Sequence, residues 1–275
     1  MDRRYLFILL LAIAAVSGFR GGVSKASTTR SPGITTATLH ASRVDDKVEV
    51  EQYFNGEGFG RWNKIYSESD EVNSVQLDIR TGHQMTIDKV LNWIATDAPG
   101  SNKDKTVCDA GCGCGSLALP MASSFKTVFA SDISAAMTQE AAARAKKEGL
   151  SNLQFAVSDM EKLSGNYNTV SCIDVMIHYP TNAMYGIVAH LASLAEDRLI
   201  ISFAPKNFFY ENLKKVGEFF PGKSKTTRAY LHPRDDVVSA LNKVGFMVSR
   251  EEMTSTNFYF SRLLEAKRII HPPTK

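Results

Sequence analysis

From residue 105 onward the chain alternates short apolar runs with stretches whose apolar residues recur every three or four positions. "KTVCDAG", "TVFASDI", "LQFAVSD", "NTVSCIDVMIHYP" and "RLIISFAP" read as strands. Between them, "SAAMTQEAAARAKKEG" is Ala-rich and closes on Gly149, a helix stop. "AMYGIVAHLASLAE" places Met184, Ile187, Val188, Leu191 and Leu194 on one helical face. This alternation predicts a mostly parallel sheet with helices on both sides. The C-terminal end changes period: "DDVVSALNKVGF" reads as a helix closing at Gly245. "FMVSREE" and "FYFSRLLEA", joined by "MTSTN", then read as an antiparallel hairpin.

The stretch before the sheet, residues 44–100, reads as a mostly helical cap. "TIDKVLNWIA" has Ile87, Val90, Leu91 and Ile94 on one face, suited to covering the sheet edge. "EQYFNGEGFGRWNKIYSESDE" interleaves Tyr53, Phe54, Phe59, Trp62 and Tyr66 with Gly56, Gly58 and Gly60. It does not read as a plain surface helix; it packs as an irregular cap or closes over a ligand. The core is then expected over 101–275.

Residues 1–43 stand apart. Asp2, Arg3 and Arg4 precede an apolar run from Tyr5 to Val16 and then small residues before Phe19, the layout of a signal peptide. The run is too short to span a bilayer as a helix; a short membrane anchor is the alternative. From Phe19 to Val44 there are nine Ser or Thr, four Arg or Lys and no acid, as in transit peptides. Together they resemble the bipartite presequence of plastids bounded by extra membranes. The whole chain has net charge +3, but its first 43 residues carry six basic residues against one Asp, which leaves the remainder at about −2. No nucleic-acid partner is indicated.

"VCDAGCGCGSLALPMA", residues 107–122, holds the candidate chemistry. Cys108, Cys112 and Cys114 do not read as a zinc set, because structural zinc wants four ligands in paired spacing and the remaining Cys172 lies within a predicted strand. They read as small fillers of a tight turn in a reducing compartment, with oxidation of exposed thiols a minor possibility. Gly111, Gly113 and Gly115 follow a strand and open a helix, where a missing Cβ lets the backbone turn sharply and approach a ligand. Asp109 selects the ligand. A carboxylate two residues before the first glycine repels a pyrophosphate, whereas the sulfonium and ammonium of S-adenosylmethionine attract it. Asp132, ending the next strand before Ile133, suits the two ribose hydroxyls, with a helix N-cap as its structural alternative. Asp159, ending the third strand, suits the adenine amine, and Met160 the ring face. The predicted fold is thus a Rossmann-like class I S-adenosylmethionine-dependent methyltransferase, with a seven-stranded sheet, a C-terminal hairpin and an N-terminal helical cap.

His178, in "IDVMIHYP", follows the fourth strand and faces the methyl-transfer position as a base or orienting group, or serves as a structural histidine. Together with "YFNGEGFGRWNKIY", "DEVNSVQLDIRTGH", "ASDISAAM", "LIISFAP", "FPGKSKTTRAY" and "TSTNFYFSR", these motifs make residues 51–268 resemble the magnesium-protoporphyrin IX O-methyltransferase family of chlorophyll synthesis. One departure is Cys114, where the family loop carries Thr or Val. The resemblance implies methyl transfer from S-adenosylmethionine to one propionate of magnesium-protoporphyrin IX, giving the 13-monomethyl ester, with no protein-bound metal. It places catalytic weight on Tyr66 and His178. It further implies a plastid location, in the stroma or at a thylakoid or envelope surface, and contact with the large subunit of magnesium chelatase and plastid membranes.

A propionate is already ionised at neutral pH, so alignment in a dry pocket is expected to supply most of the rate. Tyr53, Phe54, Phe59 and Trp62, and "NFFYENLKKVGEFF" with Phe209, Leu213, Val216 and Phe220, are candidate walls for the flat macrocycle or ordinary core. Lys223, Lys225 and Arg228 are candidates for the second propionate. The alternatives are another acceptor such as a quinone, a non-catalytic binder of S-adenosylmethionine or a tetrapyrrole, and a nicotinamide oxidoreductase, which Asp109 disfavours.

Overall fold

Seven strands form one sheet in the computed structural model, which describes residues 47–67, 71–97, 100–206 and 229–269. In chain order its elements are helix α1 (Glu57–Ile65), α2 (Ser74–Ala95), β1 (Thr106–Ala110), the single-turn α3 (Ala118–Met121), β2 (Thr127–Asp132), α4 (Ala135–Lys147) and β3 (Leu153–Val157). They continue with β4 (Tyr167–Cys172), α5 (Thr181–Leu194), β5 (Ala195–Phe203), α6 (Arg234–Lys243), β6 (Phe246–Ser255) and β7 (Phe260–Arg268). The strand order is β3-β2-β1-β4-β5-β7-β6. The first five pair in parallel, and β7 enters antiparallel between β5 and β6.

The period-2 alternation of buried strands distributes the core to both faces. On β5, Leu199 and Ile201 face Met184, Ile187 and Leu191 of α5 and Leu241 of α6. Ile200 between them faces the cluster that holds Ile87, Val90 and Ile94 of α2. Helix α2 starts at a capping box: Asn73 Oδ1 accepts from Gln76 N at 2.9 Å, and Gln76 Oε1 accepts from Asn73 N at 3.1 Å. The predicted stops are in place, with Gly149 at φ +70° and Gly245 at φ +80°.

Three local expectations change. The aromatic stretch is not irregular: residues 47–55 are helical, the chain turns at Gly56, and α1 follows at once. Helical packing is possible because Gly58 lies against Tyr53, where a Cβ would come within 2.5 Å of the ring. The fourth strand stops at Cys172 rather than running on to His178, since Asp174 takes a left-handed φ of +60° and a 3₁₀ turn, Met176–His178, follows. The glycine loop does not open directly into a long helix; it leads through turns to the four residues of α3. Residues 207–228, with Phe209, Leu213, Val216, Phe220, Lys223, Lys225 and Arg228, lie outside the described residues, as do residues 1–46.

Candidate active site

The strand order reverses between β1 and β4, and the loops leaving the carboxyl ends of the parallel strands surround a cavity of about 490 Å³ there. Open α/β sheets bind ligands at such a switch point. Its walls include Asp109, Gly111, Gly113, Asp132, Ile133, Met160 and His178 from the sheet edge and Phe54, Trp62, Tyr66 and His83 from the N-terminal helices.

The backbone of the glycine loop is held by Ser131, whose carbonyl accepts from Gly111 N at 2.8 Å and Cys112 N at 2.9 Å. Gly111 has φ +83°, and a Cβ there would lie 2.3 Å from Val175 Cγ2. Gly113 has φ +51° but nothing within 4 Å of its missing Cβ. The first glycine is thus required by packing, and the second leaves the backbone open to a ligand.

Asp109 is 2% exposed, and its Oδ1 accepts from Ser171 Oγ at 2.8 Å. Burial pushes its pKa up to about 7, against the pull of the Ser171 hydrogen bond and nearby His83. Asp132 accepts from Gly113 N and Ser134 N, both at 2.9 Å. Burial raises its pKa too, and those backbone donors limit the rise. The N-cap of α4 is Ser134, whose Oγ accepts from Met137 N at 3.2 Å. Two buried acids with spare lone pairs suit a cationic ligand bearing hydroxyl donors.

Asp159 stands two residues past β3, as N-cap of a 3₁₀ turn whose Glu161 N it accepts at 3.0 Å. Its other oxygen pairs with Lys47 Nζ at 2.8 Å, and Lys47 also reaches Glu161. The carboxylate belongs to this clamp, while neighbours Ser158 and Met160 line the cavity.

Tyr66 is the C-cap of α1, and its ring lies 5.3 Å from Trp62 and 4.4 Å from His83. The carbonyls at that helix end are held by two arginines: Arg80 Nε donates to Ile65 O at 2.7 Å and Arg144 Nη1 to Tyr66 O at 3.0 Å. Burial, with Asp174 nearby, pushes the Tyr66 hydroxyl well above its ordinary value, so it stays protonated. His178 packs edge-on to Phe54, with centroids 5.4 Å apart, and burial lowers its pKa to about 4. The imidazole is neutral at physiological pH. Of the other predicted wall residues, Tyr53 packs on Phe54 and accepts from Trp62 Nε1 at 3.2 Å, and Phe59 is not in the wall.

One constellation, centred on Asp174, has no local signal in the sequence. Asp174 accepts four side-chain hydrogen bonds: His83 Nδ1 and Tyr259 Oη on one oxygen, both at 2.7 Å, and Ser202 Oγ at 2.9 Å and Ser261 Oγ at 3.1 Å on the other. These donors hold the carboxyl below its usual range despite burial. The four cysteines are not exposed as the oxidation reading required. All are free and buried, with Cys108 and Cys114 pushed up to about 12 by burial and Cys112 and Cys172 also raised.

Residues 172–268 match the family "Magnesium-protoporphyrin IX methyltransferase C-terminus", and residues 107–197 match a general methyltransferase domain. The chain is 56% identical over 223 residues to the chloroplastic magnesium protoporphyrin IX methyltransferase of Arabidopsis thaliana, covering 80% of this chain and 71% of that one. It is 49% identical over 227 residues to a magnesium-protoporphyrin O-methyltransferase of Synechocystis, covering 82% and 97%. The crystal structure of a Synechocystis magnesium protoporphyrin IX methyltransferase with bound S-adenosylhomocysteine superposes with a TM-score of 0.74 at 48% identity, over 81% of this chain and 99% of that one.

Proposed function

Because the chain belongs to the magnesium-protoporphyrin IX methyltransferase family, we propose that it methylates one propionate carboxyl of magnesium-protoporphyrin IX, forming the 13-monomethyl ester. The observation that carries this reading is a cavity at the switch point whose acids suit a cation and whose other walls are largely aromatic and aliphatic. When bound, S-adenosylmethionine supplies an electrophilic methyl group on a sulfonium.

The chain's own residues bind, orient and exclude water. Asp109 meets the ammonium and Asp132 the ribose hydroxyls. Gly111, Gly113 and Ile133 shape the loop around the nucleoside, with Met160 at the adenine face. Asp159 shapes that wall through its pairing with Lys47. Phe54 and Trp62 close the cavity on the N-terminal side, which strengthens every charge interaction inside it. Tyr66, as a protonated hydroxyl, donates to the acceptor carboxyl, and neutral His178 orients it. Holding carboxylate oxygen, methyl carbon and sulfur in line supplies most of the rate.

The finer assignments belong to the same reading. Residues 1–43 address the protein to a plastid, 44–100 cap the site, and 101–275 form the core. The poorly soluble pigment favours a stromal membrane surface and hand-over from the large subunit of magnesium chelatase. The test is an assay of protein lacking residues 1–43 with S-adenosylmethionine and magnesium-protoporphyrin IX, with products read by mass spectrometry. A monomethyl ester supports the reading; cofactor binding without ester removes the acceptor.

A further inference from the structure

Two histidines face the cavity, and they are built differently. His178 packs against the Phe54 ring. His83, on α2, is held by a carboxylate: its Nδ1 lies 2.7 Å from Asp174 Oδ2. In the tautomer whose Nδ1–H donates to the Asp174 carboxylate, the ring's lone pair is on Nε2. That Nε2 is buried and has no hydrogen-bond partner among the described residues. A buried polar atom without a partner is costly in a finished core, and His83 is one of the residues that line the cavity. The Asp–His arrangement is the one that orients an imidazole as a base.

The cavity gives such a base something to do. Asp109, Asp132 and Asp174 all line it. These three carboxyl groups outnumber the net positive charge of S-adenosylmethionine and the one of Arg61 on the same wall, and the remaining wall is largely apolar. A carboxyl brought into such a site is drawn toward its protonated form, and Asp109 already shows the effect. A protonated carboxyl is a poor nucleophile.

We propose that His83, oriented by Asp174, is the proton acceptor for the substrate carboxyl. Nε2 takes the proton and the carboxyl oxygen forms the bond to the methyl carbon. The sulfur–methyl bond breaks with its electron pair going to sulfur, and the imidazolium returns its proton to solvent after the ester leaves. The titratable groups facing His83 are Asp174 after β4, Asp109 on β1 and Tyr66 at the end of α1, with Tyr259 behind Asp174 and His178 across the cavity. Asp174 and Tyr259 are positioning residues, because they act through His83. The proposal rests on the methyl-transfer reading above.

The experiment measures kcat and KM for the porphyrin from about pH 6 to 9, and the affinity for S-adenosylhomocysteine by calorimetry, in wild type, His83→Ala and Asp174→Asn. Loss of a general base costs roughly 100-fold or more. For His83→Ala, kcat should fall by that factor at the acid end, and the deficit should shrink as rising pH ionises the substrate itself. S-adenosylhomocysteine affinity should stay within about twofold of wild type, as for a substitution not coupled to cofactor binding. Asp174→Asn should show the same pH pattern, and it carries the test if His83→Ala does not fold. An unchanged kcat, an equal loss at every pH, or a parallel loss of cofactor affinity overturns the proposal. Absence of ester with the wild-type enzyme is a separate failure, of the acceptor assignment alone.

Discussion

The ring of Tyr259 fills the space a side chain at residue 82 would need: a Cβ on Gly82 would come within 2.4 Å of Tyr259 Cδ1. The β6–β7 hairpin is thereby seated directly on α2, and from that seat the Tyr259 hydroxyl reaches both Asp174 and Thr86. Gly82→Ala must push the ring away. The expected cost is about 1–3 kcal/mol of stability, typical of overpacking, together with lower turnover as Asp174 loses a donor. Thermal unfolding and kcat on the same sample check it; an unchanged melting temperature would mean that the hairpin shifts freely.

Asp132 makes a second prediction. Both oxygens accept backbone donors, so Asp132→Ala strands Gly113 N and Ser134 N, and under the proposed assignment it strands the ribose hydroxyls as well. Affinity for S-adenosylhomocysteine should fall by roughly 1–3 kcal/mol, read by titration calorimetry. Equal affinity would remove Asp132 from the ribose site.

Asp109 sets a pH dependence. Its folded pKa of about 7 lies above the ordinary 3.8, so the folded protein holds the proton more tightly than the unfolded chain. The resulting stability is complete below about pH 4 and is lost as pH rises to about 7. A bound ammonium favours the ionised acid, so cofactor binding near neutrality should release a proton. Calorimetry in buffers of different ionisation enthalpy measures that release, and Asp109→Asn should abolish its Asp109 component. A release that survives the substitution intact would assign the proton elsewhere.

Arg80 and Arg144 predict a coupled effect at Tyr66. Each closes a carbonyl at the end of α1 from a different element, α2 and α4. Removing either should cost about 1.5–3 kcal/mol, the range for hydrogen bonds to a charged donor. Turnover should also fall as Tyr66 loosens, while cofactor affinity holds. Lysine should restore little, because one ammonium cannot reproduce the guanidinium fork. Denaturant titrations and kcat of Arg144→Ala, Arg144→Lys and Arg80→Ala decide it.

The strands, the hairpin and the acids at the ends of β1 and β2 were legible because each is a local pattern: period, stop residue or spacing from a glycine. His83, Asp174 and Tyr259 were not. They lie 91 and 85 residues apart in sequence, and only the insertion of β7 beside β5 brings Tyr259 over the end of β4. Asp174 was further disguised by the apolar run "CIDVMIH", which read as continuing strand until its positive φ broke it. The aromatic stretch misled for the opposite reason. Three glycines suggested irregular backbone, whereas Gly58 is there to admit the Tyr53 ring.

The four buried thiols make the enzyme its own record of breathing motions. A protonated, inaccessible cysteine does not react with an alkylating reagent until the structure around it opens. Cys112 and Cys114 line the cavity, while Cys108 and Cys172 lie within the β1 and β4 core. Labelling should therefore proceed in two waves. The first reports local opening of the glycine loop and slows when S-adenosylhomocysteine is bound; the second reports separation of the central strands and tracks global unfolding.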